Sequence, residues 1–126
     1  MTGVIWVIQR VHYPSFSYIP KQDFVAYHNF HSFQITWIVA PIMIIELLTA
    51  AFMVYENYYT EFFTKFLIVF LMTLILWIAT FFLSVPCHSE LSRDKSDKAI
   101  QKLVRTNWIR TIFWTIKSIF LVILIV

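Results

Sequence analysis

Four histidines carry the most versatile chemistry in this sequence, because an imidazole titrates near neutrality, shuttles protons and ligates metal or haem iron. They are His12, His28, His31 and His88. His28 and His31 stand three apart, a spacing that puts both rings on one helical face and makes half of a two-ligand site. HxxH also recurs by chance, and interfacial histidines are commonly plain amphipathic surface, so both readings stay open: no cofactor, or haem or metal held by histidines. Gln9, Asn107 and Arg110 would add hydrogen bonds and a fixed cation to the same ligand site. Glu46 and Lys117 are opposite charges inside strongly apolar runs, where each alone costs about 2.5 to 3.5 kcal/mol. They are expected to pair or share a network, either fixing helix register or lining a cavity for a ligand or proton. Other chemistries lack their residues. Gly3 is the only glycine, which leaves no phosphate-cradling loop, and the single Cys87 makes neither a CxxC motif nor an internal disulfide.

The elements that position these residues must be membrane helices. Of 126 residues, 60% are hydrophobic, 19% aromatic and only 13% charged, about half the charge of a soluble chain. Mean hydropathy is +0.72. The net charge of +3 does not point to nucleic acid, because the basic residues flank apolar runs and there report orientation. At 1.5 Å per residue and about 30 Å of hydrocarbon, the runs imply an all-α integral membrane four-helix bundle with a short first helix, one transmembrane domain over residues 1–126. The helices cover about 1–12, 35–55, 66–86 and 107–126, with connections 13–34 and 87–106.

Arg10, Lys21, Arg93, Lys95, Lys98, Lys102, Arg105 and Arg110 fall on one side of this arrangement and Lys65 alone on the other. The positive-inside rule then puts both long connections in the cytoplasm and both termini outside. All four histidines fall at the cytoplasmic level. Ser96 and Asp97 are expected to cap the last helix, and Phe24, Tyr27, Phe30, His31 and Gln34 form an amphipathic entry to the second. Pro41 predicts a kink, and the aromatic turn from Glu56 to Lys65 reads as an interfacial belt.

The polar residues fall in stripes: Thr2, Trp6, Gln9 and Tyr13; Glu46 and Thr49; Thr73, Trp77, Thr80, Ser84 and Cys87; Asn107, Arg110, Thr111, Trp114, Lys117 and Ser118. Polar groups cost least inside the bundle, so the stripes should face one another. A shift of 71 superposes Trp6 on Trp77, Trp37 on Trp108 and Glu46 on Lys117. The remaining identities in that alignment are no better than chance, and a duplication on it would relate the halves by an axis along the membrane normal.

The Asn107-Trp108-Ile109-Arg110-Thr111 opening of the last helix, Val85-Pro86-Cys87-His88 with Leu91, Pro14 and Pro41 together resemble the anthrone oxygenase-like family of small four-helix membrane proteins. Strings such as VHYPSF, FHSFQIT and RTNWIRT are also similar to those of bacterial membrane proteins, which suggests a bacterial inner membrane. For some family members the resemblance implies cofactor-independent oxygenation of a polycyclic phenol. In this chain His88 or His12 would then be the catalytic base and Arg110 would stabilise the enolate. The chain departs from the family where Asn usually follows the Val-Pro pair and Cys87-His88 stand instead. The expected function is binding of an amphiphilic or redox-active small molecule, with oxygenase or oxidoreductase chemistry as its enzymatic form. The alternative is a non-catalytic accessory subunit packed against a larger membrane complex or a second copy of itself.

Overall fold

The computed structural model describes residues 1–125, which form four helical rods. The first rod joins α1 (Thr2–Val7), a π-helical turn (Ile8–His12) and α2 (Tyr13–Ser15), and ends in a 3₁₀ turn, Phe16–Tyr18. The second is α3 (Lys21–Glu56). The third joins α4 (Phe63–Ala79), a second π turn (Thr80–Ser84) and α5 (Val85–Leu91), and the fourth is α6 (Asp97–Ile125). The fold is an all-α four-helix bundle of a membrane protein. Three of its rods are long and apolar enough to cross a bilayer.

The helices outrun the apolar segments they contain. No glycine and no proline other than Pro41 lies between Pro20 and Glu56, so the amphipathic entry and the apolar run make one helix of 36 residues, which passes Pro41 unbroken. At 1.5 Å per residue that is about 54 Å, well beyond the hydrocarbon alone. The connection of residues 13–34 expected from hydropathy is therefore mostly helix. The true break is the extended step at Ile19 and Pro20. Ser96 caps α6 as expected, its hydroxyl accepting the Ala99 amide at 3.1 Å.

α6 is the central rod: it packs against α1, α2, α4 and α5, while α3 packs along α4 and α5. The stripes of the first, third and fourth rods meet as their spacing requires, and Glu46 joins them from α3, but Thr49 is exposed and its hydroxyl turns back to the Ile45 carbonyl at 2.7 Å. Thr2 reaches the Trp114 carbonyl and the Ser118 hydroxyl, Trp6 donates to Thr115 at 3.0 Å, and Gln9 donates to the Val104 carbonyl at 3.0 Å. The outer faces are apolar, with Trp37, Phe52, Phe82 and Ile123 exposed as lipid contact requires.

Each π turn sits just ahead of a proline. Tyr13 closes the first by donating to the Ile8 carbonyl, followed by Pro14, and Val85 closes the second on Thr80, followed by Pro86. Proline lacks an amide donor and crowds the carbonyl four residues back, so a five-residue bond relieves both rods at the same relative place. The inserted residue offsets the helical phase. It does so immediately before Tyr13 and one turn before His88.

Candidate functional site

The site is built where the two π turns face α6. Asn107, fully buried, donates to Gln9 Oε1 at 2.8 Å and receives Arg110 Nη1 on Oδ1 at 3.2 Å. Arg110 also donates to the Ser84 hydroxyl at 3.1 Å and stacks on the Trp114 ring at 5.2 Å. Thr111 closes the group on Gln9 at 3.4 Å. Arg110 is only 4% exposed, yet among the described residues no carboxylate pairs with it, and its Nε has no partner. A guanidinium taken out of water without a counterion is costly, and a buried donor left unbonded costs about 1 to 3 kcal/mol more.

Beside the cation runs a chain of side-chain hydrogen bonds. Tyr13 Oη meets His88 Nε2 at 3.0 Å, His88 Nδ1 meets His28 Nε2 at 3.0 Å, and His28 Nδ1 lies 3.4 Å from the Ser92 hydroxyl. Each link needs one donor and one acceptor, so a neutral histidine pair can pass a proton along it by switching tautomer. Phe16 and Phe24 wall the chain, Phe24 stacked on His28 at 5.8 Å. Tyr13 follows the first short helix and lies beside Arg110. Burial pushes its phenol above the ordinary value, so it stands as a neutral hydroxyl.

The four histidines do converge, but in two ring pairs, one stacked and one tilted. His28 and His88 lie 5.2 Å apart and His12 and His31 5.1 Å apart, ring to ring. The nitrogens of His28 and His88 are directed at each other, at Tyr13 and at Ser92, and among the described residues no three of His, Cys, Asp or Glu are placed to hold a metal ion. His31 is 8% exposed and its Nε2 is buried without a partner. No family model, curated protein or solved structure matches the chain.

Glu46 and Lys117 form a separate, deeper centre. Lys117 Nζ donates to Glu46 Oε2 at 2.8 Å and to Thr73 at 3.3 Å, and Trp114 Nε1 donates to the same carboxylate oxygen at 2.9 Å. The pair expected from the sequence is present and its lysine is satisfied, which is the pattern of a register-fixing bridge. Trp114 touches both centres, by its indole N–H below and its ring face above.

Gln9, His28, His88, Asn107 and Arg110 are thus brought together, His12 and His31 flank them, and Glu46 and Lys117 lie apart. Sequence reasoning left Tyr13, Ser84 and Ser92 out of the site. Tyr13 and Ser84 were signalled, since each falls on a polar stripe one turn from a site residue. Ser92 had no signal beyond lying one turn after His88.

Proposed function

We propose that the protein is a multi-pass bacterial inner-membrane protein that binds an amphiphilic small molecule at the Arg110 centre, on the cytoplasmic side. The Tyr13–His88–His28 chain then exchanges a proton with the bound ligand. The observation that carries this reading is the buried guanidinium with neutral partners and a free Nε. A ligand oxygen bearing negative charge would remove the cost of that isolated cation. In this reading the proton of the ligand's acidic carbon reaches His88 through the Tyr13 hydroxyl, which gives its own proton to His88 Nε2 as it takes up the ligand's, and the positive charge of Arg110 holds the resulting enolate. The proton gained is shared between His88 and His28 and is given up to water beside the half-buried Ser92. This agrees with the chemistry implied by the resemblance to the anthrone oxygenase-like family, in which the enolate goes on to react with oxygen. His12, outside the chain, is assigned no role as base.

Extraction and mass spectrometry of protein purified in native lipid test the proposal. The wild type should retain a stoichiometric organic compound, with occupancy reduced about tenfold or more in Arg110→Gln, the loss expected when a charged hydrogen bond is removed. Equal occupancy in the variant, or a wild type that retains nothing, contradicts it.

A second reading, a non-catalytic subunit seated against a larger membrane complex or another copy of this chain, is favoured by one feature. Phe30, Phe33 and Trp37 form an exposed aromatic strip along one face of α3. Co-purification in fixed stoichiometry, lost on Phe33→Ala with Trp37→Ala, would support it.

A further inference from the structure

At the basic end of the bundle, on its outer surface, a groove of about 530 Å³ runs between the end of the first rod and α6. Pro14 and Tyr18 form one wall, and Ile100, Val104, Arg105 and Trp108 the other. The first wall is held in place from behind. Phe16 is fully buried, and Lys95 Nζ donates to the Ser17 carbonyl at 3.0 Å and the Ile19 carbonyl at 2.8 Å. The groove therefore does not depend on a partner to shape it.

We propose that this groove seats an anionic phospholipid of the surrounding leaflet, with the phosphate on Arg105 and the upper acyl chain against Trp108. Three observations place that occupant. Arg105 is exposed and pairs with no carboxylate among the described residues. Lys98 and Lys102, each three residues before a groove residue, extend the same positive face, with Asp97 the only acid between 97 and 105. The groove also straddles a chemical boundary: basic residues lie on one side of Trp108 and lipid-facing Ile109, Ile112 and Ile116 on the other. A free phosphate would use only the charged half. A phospholipid uses both, and tryptophan at such a boundary sits at headgroup level. The site is independent of the ligand proposed at Arg110.

Native mass spectrometry of the full chain, released from detergent containing equal amounts of dioleoyl phosphatidylglycerol and dioleoyl phosphatidylcholine, tests this. The wild type should retain one phosphatidylglycerol with a preference of about fivefold or more, the contribution of one basic residue near a charged headgroup. Arg105→Gln, an exposed and fold-neutral change, should bring the preference close to unity. Lys21→Gln removes the same charge from the same end outside the groove and should leave it intact. A wild type that does not distinguish the two lipids overturns the proposal and marks the groove as one for a neutral lipid or a partner helix. Equal losses in the two variants also overturn it, by reducing the effect to diffuse surface charge.

Discussion

The two buried cations of this bundle, Lys117 and Arg110, differ in that the first has a carboxylate partner and the second has none among the described residues. Lys117 and Glu46 neutralise each other, and removing one partner leaves an uncompensated charge at hydrocarbon depth. Glu46→Ala should destabilise the fold by about 3 to 5 kcal/mol, whereas Glu46→Gln with Lys117→Met should recover most of that loss. Reversible unfolding in mixed micelles measures both, and ligand occupancy at Arg110 should be unchanged in the double variant. Arg110 is the opposite case, since its partners Ser84 and Asn107 are neutral. Tyr13 offers a pH test. Its raised pKa means that its contribution to stability is fully present below the ordinary midpoint near 10 and is lost above it, as pH rises through the folded-state value. At pH about 10, Tyr13→Phe should therefore remove far less phenolate absorbance than one tyrosine's share of the six. A full share would show that Tyr13 is not buried against the centre.

The π turns are what the sequence pattern concealed at the scale of elements. Spacing alone aligned Thr73, Thr80 and Ser84 on one stripe, and Gln9 four residues from Tyr13, so the inward faces of the first, third and fourth rods were legible from polar residues in apolar runs, whereas Thr49 on α3 faces outward and bonds its own backbone. The prolines were visible too, but whether each would kink, cap or widen its helix depends on packing against α6. Pro41 leaves α3 helical, while Pro14 and Pro86 follow five-residue turns. Their offset by 72 residues lies one away from the weak repeat at 71, and the Glu46–Lys117 pair joins two positions that the repeat superposes. Pro86→Ala restores an amide donor and allows regular bonding through Thr80–Ser84, which would rotate His88 relative to His28. Far-UV circular dichroism should report unchanged helicity while ligand occupancy drops severalfold. Undiminished occupancy would show that the π turn does not set the site.

For the whole molecule, hydropathy and charge determined the class of fold because a bilayer permits few alternatives: backbone polar groups must be satisfied within the helix. The helix ends were less legible, since a helix does not stop where hydrocarbon does, and α3 extends through the amphipathic entry. The eight-to-one distribution of basic residues makes orientation testable. In intact cells, cysteine at Thr60, with Cys87 replaced by Ser, should react with an impermeant maleimide, and cysteine at Asp94 only after permeabilisation. The reverse pattern would place the histidine centre on the outer face.

The central claim is that Arg110 is a ligand's cation. It is tested most directly by an experimental density map of the protein purified in its native lipid, read at Arg110 Nε and His31 Nε2. Non-protein density is expected within hydrogen-bonding distance of the guanidinium, bordered by Tyr13 and His88. A well-ordered centre in which Arg110 is contacted only by protein and water, in protein that was never exposed to ligand-stripping detergent, would contradict it.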